Sequence, residues 1–259
     1  MTTQTLIQAE ELAAALDDPR LRVFDCRFDL ARPAYGRAAY GDEHLPGAVH
    51  ADLNVDLSRP VTPGSGRHPL PSPEEFAARL RGWGVNGDSR VVAYDDGNGA
   101  YASRLWWMLR WLGHDDVRVL DGGMRRWLQL GLPLSEDEPV RSPGDFTARL
   151  RAGMAVDASA MAASLGDRAT RLLDARAAER YRGEVEPIDR VAGHVPGARN
   201  HPFTLSLDAQ GRFLPPGQLR AALLDSLDGV APAQAISYCG SGVTACHLLL
   251  ALEPAGLAG

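Results

Sequence analysis

One pattern constrains this chain more than any other: it repeats itself. Arg22-Val-Phe-Asp25 followed by His44-Leu-Pro-Gly-Ala48 returns as Leu172-Leu-Asp174 followed by His194-Val-Pro-Gly-Ala198. Asp and His stand 19 residues apart in the first copy and 20 in the second. Val91-Val-Ala-Tyr94-Asp95 returns as Ala235-Ile-Ser-Tyr238-Cys239. The offsets of 149, 150 and 144 residues agree closely enough to define two copies of one domain. A chain of 259 residues has room for both, each with its own core.

The runs 21–25, 91–94, 117–120, 171–174 and 235–238 are short and continuously apolar, the pattern of fully buried parallel strands. Helical patterns lie over 73–82 after a Ser-Pro start, and over 101–112, 123–131, 157–165, 217–227 and 243–252. The first residues also read as a short helix. Alternating strands and helices give an α/β fold with a parallel sheet flanked by helices in each copy. The Pro-, Gly- and charge-rich stretch 133–153 is the expected linker, with domains over 1–140 and 153–259. After Tyr94 the first copy continues for 40 residues to Leu134, whereas 21 follow Tyr238. The second domain is therefore expected to lack a C-terminal strand and helix.

Composition narrows the chemistry. All 27 basic residues are arginine, so a lysine Schiff base, a pyridoxal anchor and a phosphate-loop lysine are excluded. A net charge of -6 argues against a nucleic-acid surface, and no apolar run reaches the roughly 18 residues of a membrane span. The N-terminus has no signal-peptide pattern. Three cysteines (Cys26, Cys239, Cys246) are too few for a disulfide framework and point to a reducing cytoplasm.

Cys239-Gly-Ser-Gly-Val-Thr244 follows a strand and opens a helix. Its glycines let the backbone curl, so that successive N–H groups face one centre beside a helix N-terminus. Such a cradle favours a thiolate or a persulfide anion. A helix dipole supplies only about 0.3–1 kcal/mol. Converging N–H groups must supply the rest.

At these residues the chain resembles the two-domain rhodaneses and, among them, the 3-mercaptopyruvate sulfurtransferases. The resemblance rests on the two HxPGA turns, on YDDGNGAYASRLWWMLRWLGH with its LDGG, on RYRGEVEP and on CGSGVTACH. It implies two tandem rhodanese-like domains, the first catalytically silent with Asp95 at the place of Cys239. It implies a ping-pong transfer in which Cys239 takes sulfane sulfur from a donor and passes it to a thiol, thioredoxin among them, or to cyanide. Neutral Gly240, Ser241 and Gly242 favour 3-mercaptopyruvate over thiosulfate, with Ser241 relaying a proton and Val243 and Thr244 completing the loop. The resemblance assigns Arg180 and Arg190 to the donor's carboxylate and keto oxygen, with Arg182 as the alternative to Arg190. Bidentate arginine suits that task. GEVEPIDR is one residue longer than the family spacing. His68 matches an acid–base histidine whose acidic partner falls on Asn54, an amide, leaving Asp52 or Asp56 as substitutes. His44 and His194 are expected to tie strand ends to their turns.

The resemblance calls for no cofactor and no metal. Cys246 and His247 match no zinc spacing and are expected in the core. A phosphatase reading fails because the residue six after Cys239 is Ala245, not arginine. The remaining rivals are a thiosulfate:cyanide sulfurtransferase and an impaired, sulfur-binding regulatory protein.

Overall fold

The apolar runs do become parallel strands. The computed structural model describes residues 4–258. The chain divides into two compact units, Met1–Arg151 and Ala152–Gly259. In the first lie β1 (Leu6–Ile7), α1 (Ala9–Ala14), β2 (Leu21–Asp25), α2 (Tyr35–Asp42), β3 (Ala48–His50), α3 (Pro73–Gly82), β4 (Arg90–Tyr94), α4 (Ala102–Trp111), β5 (Val117–Leu120) and α5 (Gly123–Gln129). The second holds α6 (Ala158–Ala163), β6 (Arg171–Asp174), α7 (Ala178–Tyr181), β7 (Arg199–Asn200), α8 (Pro216–Leu227), β8 (Ala235–Tyr238) and α9 (Val243–Leu252).

The sheets are parallel, in the orders β1-β5-β4-β2-β3 and β7-β6-β8. The repeat is visible in the register. Asp25 stands beside Tyr94 as Asp174 stands beside Tyr238. β4 runs between β2 and β5 and is buried from Val91 to Tyr94. β8, its counterpart, is only half-buried along its whole length, which corrects the expectation of a fully buried strand. The reason is positional. β5 pairs with the outer edge of β4, whereas among the described residues no strand pairs with the outer edge of β8.

Local signals set the helix ends. Ser72 caps α3 by accepting from the Glu75 N–H, while the Glu75 carboxylate accepts from the Ser72 N–H, with Pro73 at the first position. α4 is buried from Ala102 to Leu109, Ser103 and Arg104 included, so it is covered on every side rather than along one stripe. The expected linker is not free chain. Ser135 bridges to His44, the Gly144 and Phe146 N–H groups bond Arg81 and Val85 carbonyls, and Arg151 N–H bonds the Trp111 carbonyl. Gly144 lies so close to Val85 that a Cβ would stand 2.0 Å from its carbonyl oxygen. The first unit therefore extends past residue 140, to Arg151.

Candidate active site

Each unit builds the same clamp at the C-terminal end of its central strands. In the first, Asp25 takes Arg27 bidentately, the Arg27 Nη2 donates to the Glu43 carbonyl, and the Tyr94 hydroxyl donates to Asp25 at 2.7 Å. In the second, Asp174 holds Arg176, whose Nη2 donates to the Gly193 carbonyl, and Asp174 also bonds the Tyr238 hydroxyl. The turn histidines are structural in both. His44 stacks on Tyr40 at 4.0 Å and His194 on Tyr181 at 3.7 Å, each with Nδ1 2.8 Å from that tyrosine's carbonyl oxygen. Each tyrosine hydroxyl then donates to the alanine of its Pro-Gly-Ala turn, Ala48 or Ala198.

The clamp fixes where the next loop leaves the sheet. Cys239 follows Tyr238 directly and is half-exposed. Gly242, at φ 79°, turns the chain into α9 and its N–H donates to the Cys239 Sγ at 3.1 Å. This left-handed backbone is one that glycine adopts without strain. Gly240, Ser241, Val243 and Thr244 complete the same strand–loop–helix junction.

The corresponding loop of the first unit already holds an anion, its own. The Asp95 carboxylate is buried and accepts four backbone N–H groups: Gly97 and Gly99 on Oδ1, both at 3.0 Å, and Tyr101 and Ala102 on Oδ2 at 2.9 and 3.3 Å. Gly99, at φ 74°, plays the part of Gly242. A brace behind this loop has no described counterpart in the second unit. The Met124 and Arg125 N–H groups, at the start of α5, donate to the Asp95 and Asp96 carbonyls.

The arginine-rich segment after β6 forms a charged knot. Glu186 accepts from Arg180 Nε at 3.2 Å and Nη2 at 2.8 Å, from Arg176 Nη1 at 3.4 Å, and from the Ile188 and Asp189 N–H groups. Burial pushes the Glu186 carboxyl up, but the Arg180 guanidinium and the two N–H groups outweigh it and bring its pKa down to about 2. Asp189 Oδ2 also accepts from Arg180 Nη2 at 2.8 Å. Arg182 pairs with Glu184 at the surface, and Arg190 is exposed on the same loop.

His68 lies in the first unit, buried, with Nε2 3.2 Å from Asn54 Oδ1. Burial, reinforced by the Arg104 and Arg67 charges, pulls its pKa down to about 4, so the ring is neutral at pH 7. Asp52 accepts from the Asn54 and Val55 N–H groups, and Asp56 accepts from the Asp52 N–H and from Arg79. Both are spent on shaping their own loop.

Comparison with known proteins gives this geometry its family. The rhodanese-like domain profile matches residues 8–130. A Pseudomonas aeruginosa protein assigned as a 3-mercaptopyruvate sulfurtransferase is 52% identical over 258 residues, 99% of this chain and 91% of the relative. The chain belongs to the rhodanese family. A Mycobacterium tuberculosis rhodanese assigned as a thiosulfate sulfurtransferase, SseB, is 42% identical over 98% of this chain and 89% of its own length. The crystal structure of SseA, a 3-mercaptopyruvate sulfurtransferase of Escherichia coli, superposes with a TM-score of 0.86. It is 35% identical, with 98% of this chain and 95% of that one covered.

Within this rhodanese, the predicted residues fall into three groups. Cys239, Gly240, Ser241, Gly242, Val243 and Thr244 share one loop and helix start, while Arg180 on α7 and Arg190 on the loop after it lie at the same end of the second sheet. His68 and Asn54 form a pair in the first unit. Cys246 and His247 are core residues as expected: Cys246 donates to the Gly242 carbonyl, and His247 stacks on Phe213 at 4.7 Å. Among the described residues no three His, Cys, Asp or Glu side chains gather as a metal would require, and no helix is long and apolar enough to cross a membrane. Sequence reading missed Arg176, Glu186 and Asp189. For Arg176 a signal was present, because Asp-x-Arg recurs at the repeat offset as Asp25-Cys26-Arg27 and Asp174-Ala175-Arg176.

Proposed function

We propose that this protein is a sulfurtransferase that takes sulfane sulfur from 3-mercaptopyruvate onto Cys239 and hands it to a thiol or to cyanide. One observation carries the reading. The loop that presents the Cys239 sulfur to the Gly242 N–H has a twin in the first unit that already binds an anion through converging N–H groups. The twin also supports a place for the transferred sulfur. Tyr101 and Ala102, two and three residues after Gly99, bind the outer oxygen of Asp95. Two and three residues after Gly242 come Thr244 and Ala245, first-turn residues of α9 whose N–H groups have no carbonyl partner in their own helix. In our reading these receive the outer sulfur of the persulfide.

The reaction then balances without a cofactor. The Cys239 thiolate attacks the donor's sulfur, the carbon–sulfur bond breaks, and the electron pair leaves on the enolate of pyruvate, which takes up a proton. Ser241, on the same loop, relays that proton. An incoming thiolate or cyanide next attacks the outer sulfur and returns Cys239 as thiolate. Neutral loop side chains and the arginines of the 180–190 segment suit a monocarboxylate keto acid better than a small dianion. We place the enzyme in the cytoplasm, with thioredoxin among its thiol acceptors, and take the first domain as catalytically silent.

The test is sulfur transfer to cyanide. Cys239→Ala abolishes it and Cys246→Ala does not; equal loss in both refutes the assignment. A kcat/KM higher for thiosulfate than for 3-mercaptopyruvate reverses the donor order. The open edge of β8 favours one second reading, a sulfur-binding protein of low turnover, which folded protein inert toward both donors would support.

A further inference from the structure

The guanidinium of Arg180 has two edges that share Nη2, and that nitrogen already meets two carboxylates. Its Nε–Nη2 edge meets Glu186, whose side chain is 5% exposed and which also holds Arg176 and two backbone N–H groups. That contact is part of the fold. The terminal Nη1–Nη2 edge is the one left to receive a ligand carboxylate in the bidentate manner that arginine favours. Asp189 Oδ2 accepts from Nη2, the nitrogen this edge shares with the first, at 2.8 Å, on a side chain that is 28% exposed.

The chain has room for this contact only in its second copy. Between the stacked tyrosine and histidine the first copy has three residues, 41–43, and the second has twelve, 182–193. The longer loop carries both Glu186 and Asp189. Charge arithmetic shows what Asp189 does to an arriving anion. Asp174, Glu186 and Asp189 against Arg176 and Arg180 leave the knot at -1; without Asp189 the sum is zero.

We infer that Asp189 is a specificity-determining residue, a built-in carboxylate that occupies the terminal edge of Arg180 and is displaced by the carboxylate of the donor. This rests on the reading that Arg180 binds that carboxylate. Asp189 is tethered beside Arg180 and competes with the donor at every concentration. Its displacement raises the donor concentration needed for half-saturation without touching the sulfur chemistry at Cys239. Partly exposed ion pairs of this kind shift equilibria by about two- to fivefold.

Initial rates against 3-mercaptopyruvate at fixed cyanide, with pyruvate as inhibitor, test this in the full-length protein. Asp189→Asn keeps the volume and removes the charge. It is expected to lower the KM and the pyruvate inhibition constant about two- to fivefold while kcat stays within a factor of two. In an Arg180→Gln or Arg180→Ala background the same change should gain nothing, since the competed cation is gone. If Asp189→Asn leaves KM unchanged or raises it while the Arg180 variants raise it strongly, Asp189 merely holds its loop: the inference falls and the role of Arg180 stands. An equal gain with and without Arg180 also overturns it. Arg180 variants with an unchanged KM remove the underlying reading, and the inference with it.

Discussion

Replacing Asp95 by asparagine tests how much an anion matters to the loop it fills. The carboxylate is 1% exposed and accepts four N–H groups, two on each oxygen. Asparagine keeps one oxygen and turns the other side into an NH2 group that faces two N–H donors. Two hydrogen bonds to a charged acceptor are lost, each worth about 1.5–3 kcal/mol, which gives about 3–6 kcal/mol. Relief of repulsion from the neighbouring Asp96, whose pKa is raised mainly by burial and partly by Asp95, offsets some of this and favours the lower end. The sequence supplies a unit-specific probe. All five tryptophans lie between Trp83 and Trp127, within the first unit. Tryptophan fluorescence during urea unfolding therefore follows that unit. With a slope of about 2 kcal/mol per molar urea, the midpoint should fall by about 1.5–2.5 M. Cys239→Ser should leave it in place. A fall of less than about 0.5 M for Asp95→Asn would show that the N–H groups do not depend on a charge, and would remove the analogy from which the persulfide cradle was argued.

Two further outcomes follow from the second unit. His201 is buried against Ser226 and Ser206, and burial lowers its pKa to about 4, so the folded state stays neutral where the unfolded chain, near 6.5, takes up a proton. The contribution of His201 is therefore constant above pH 6.5 and falls by about 3 kcal/mol on going down to pH 4, read as the part of the circular-dichroism urea-midpoint shift that His201→Gln removes. Val91 N–H points from β4 to the Asp116 carbonyl on the β5 side, so Ala93, two residues on, faces the same way, and so does its counterpart Ser237 on the open edge of β8. The Ser237 amide should exchange with deuterium much faster than that of Ala93; equal protection would mean that something pairs with this edge.

What could be read from the sequence was what short-range chemistry decides. The start of α3 follows from Ser72, Pro73 and Glu75, and the start of α9 from Gly242, all within four residues of the ends they set. β1, β3 and β7 were not readable, because two or three residues carry no period and their pairing is decided by distant partners such as Leu6 with Val119. The stack under the turn histidine shows the same limit. Tyr40 precedes His44 by four residues, but Tyr181 precedes His194 by thirteen, so spacing could not identify it. Cys239 was legible because a cysteine between a strand and a glycine turn is distinctive. Glu186 was not, because it stands among Arg182, Glu184, Asp189 and Arg190, and only the backbone determines which charges meet.

The two copies thus differ in what fills the same cradle. In the first, the anion is covalently part of the loop, permanent, and backed by the α5 hydrogen bonds to the Asp95 and Asp96 carbonyls. Its four N–H bonds are made once, on folding, and contribute to stability. In the second, Cys239 puts a single sulfur before the Gly242 N–H, and among the described residues the sheet beside it stops at β8. N–H groups left facing a position where charge arrives only transiently cost stability in the resting protein and are satisfied when the charge develops. That is the arrangement that lowers the energy of a charged intermediate relative to the resting state. The first copy shows by its filled cradle what a loop of this kind can bind. On the proposed reading, the second copy turns a loop of the same kind toward the sulfur that Cys239 receives.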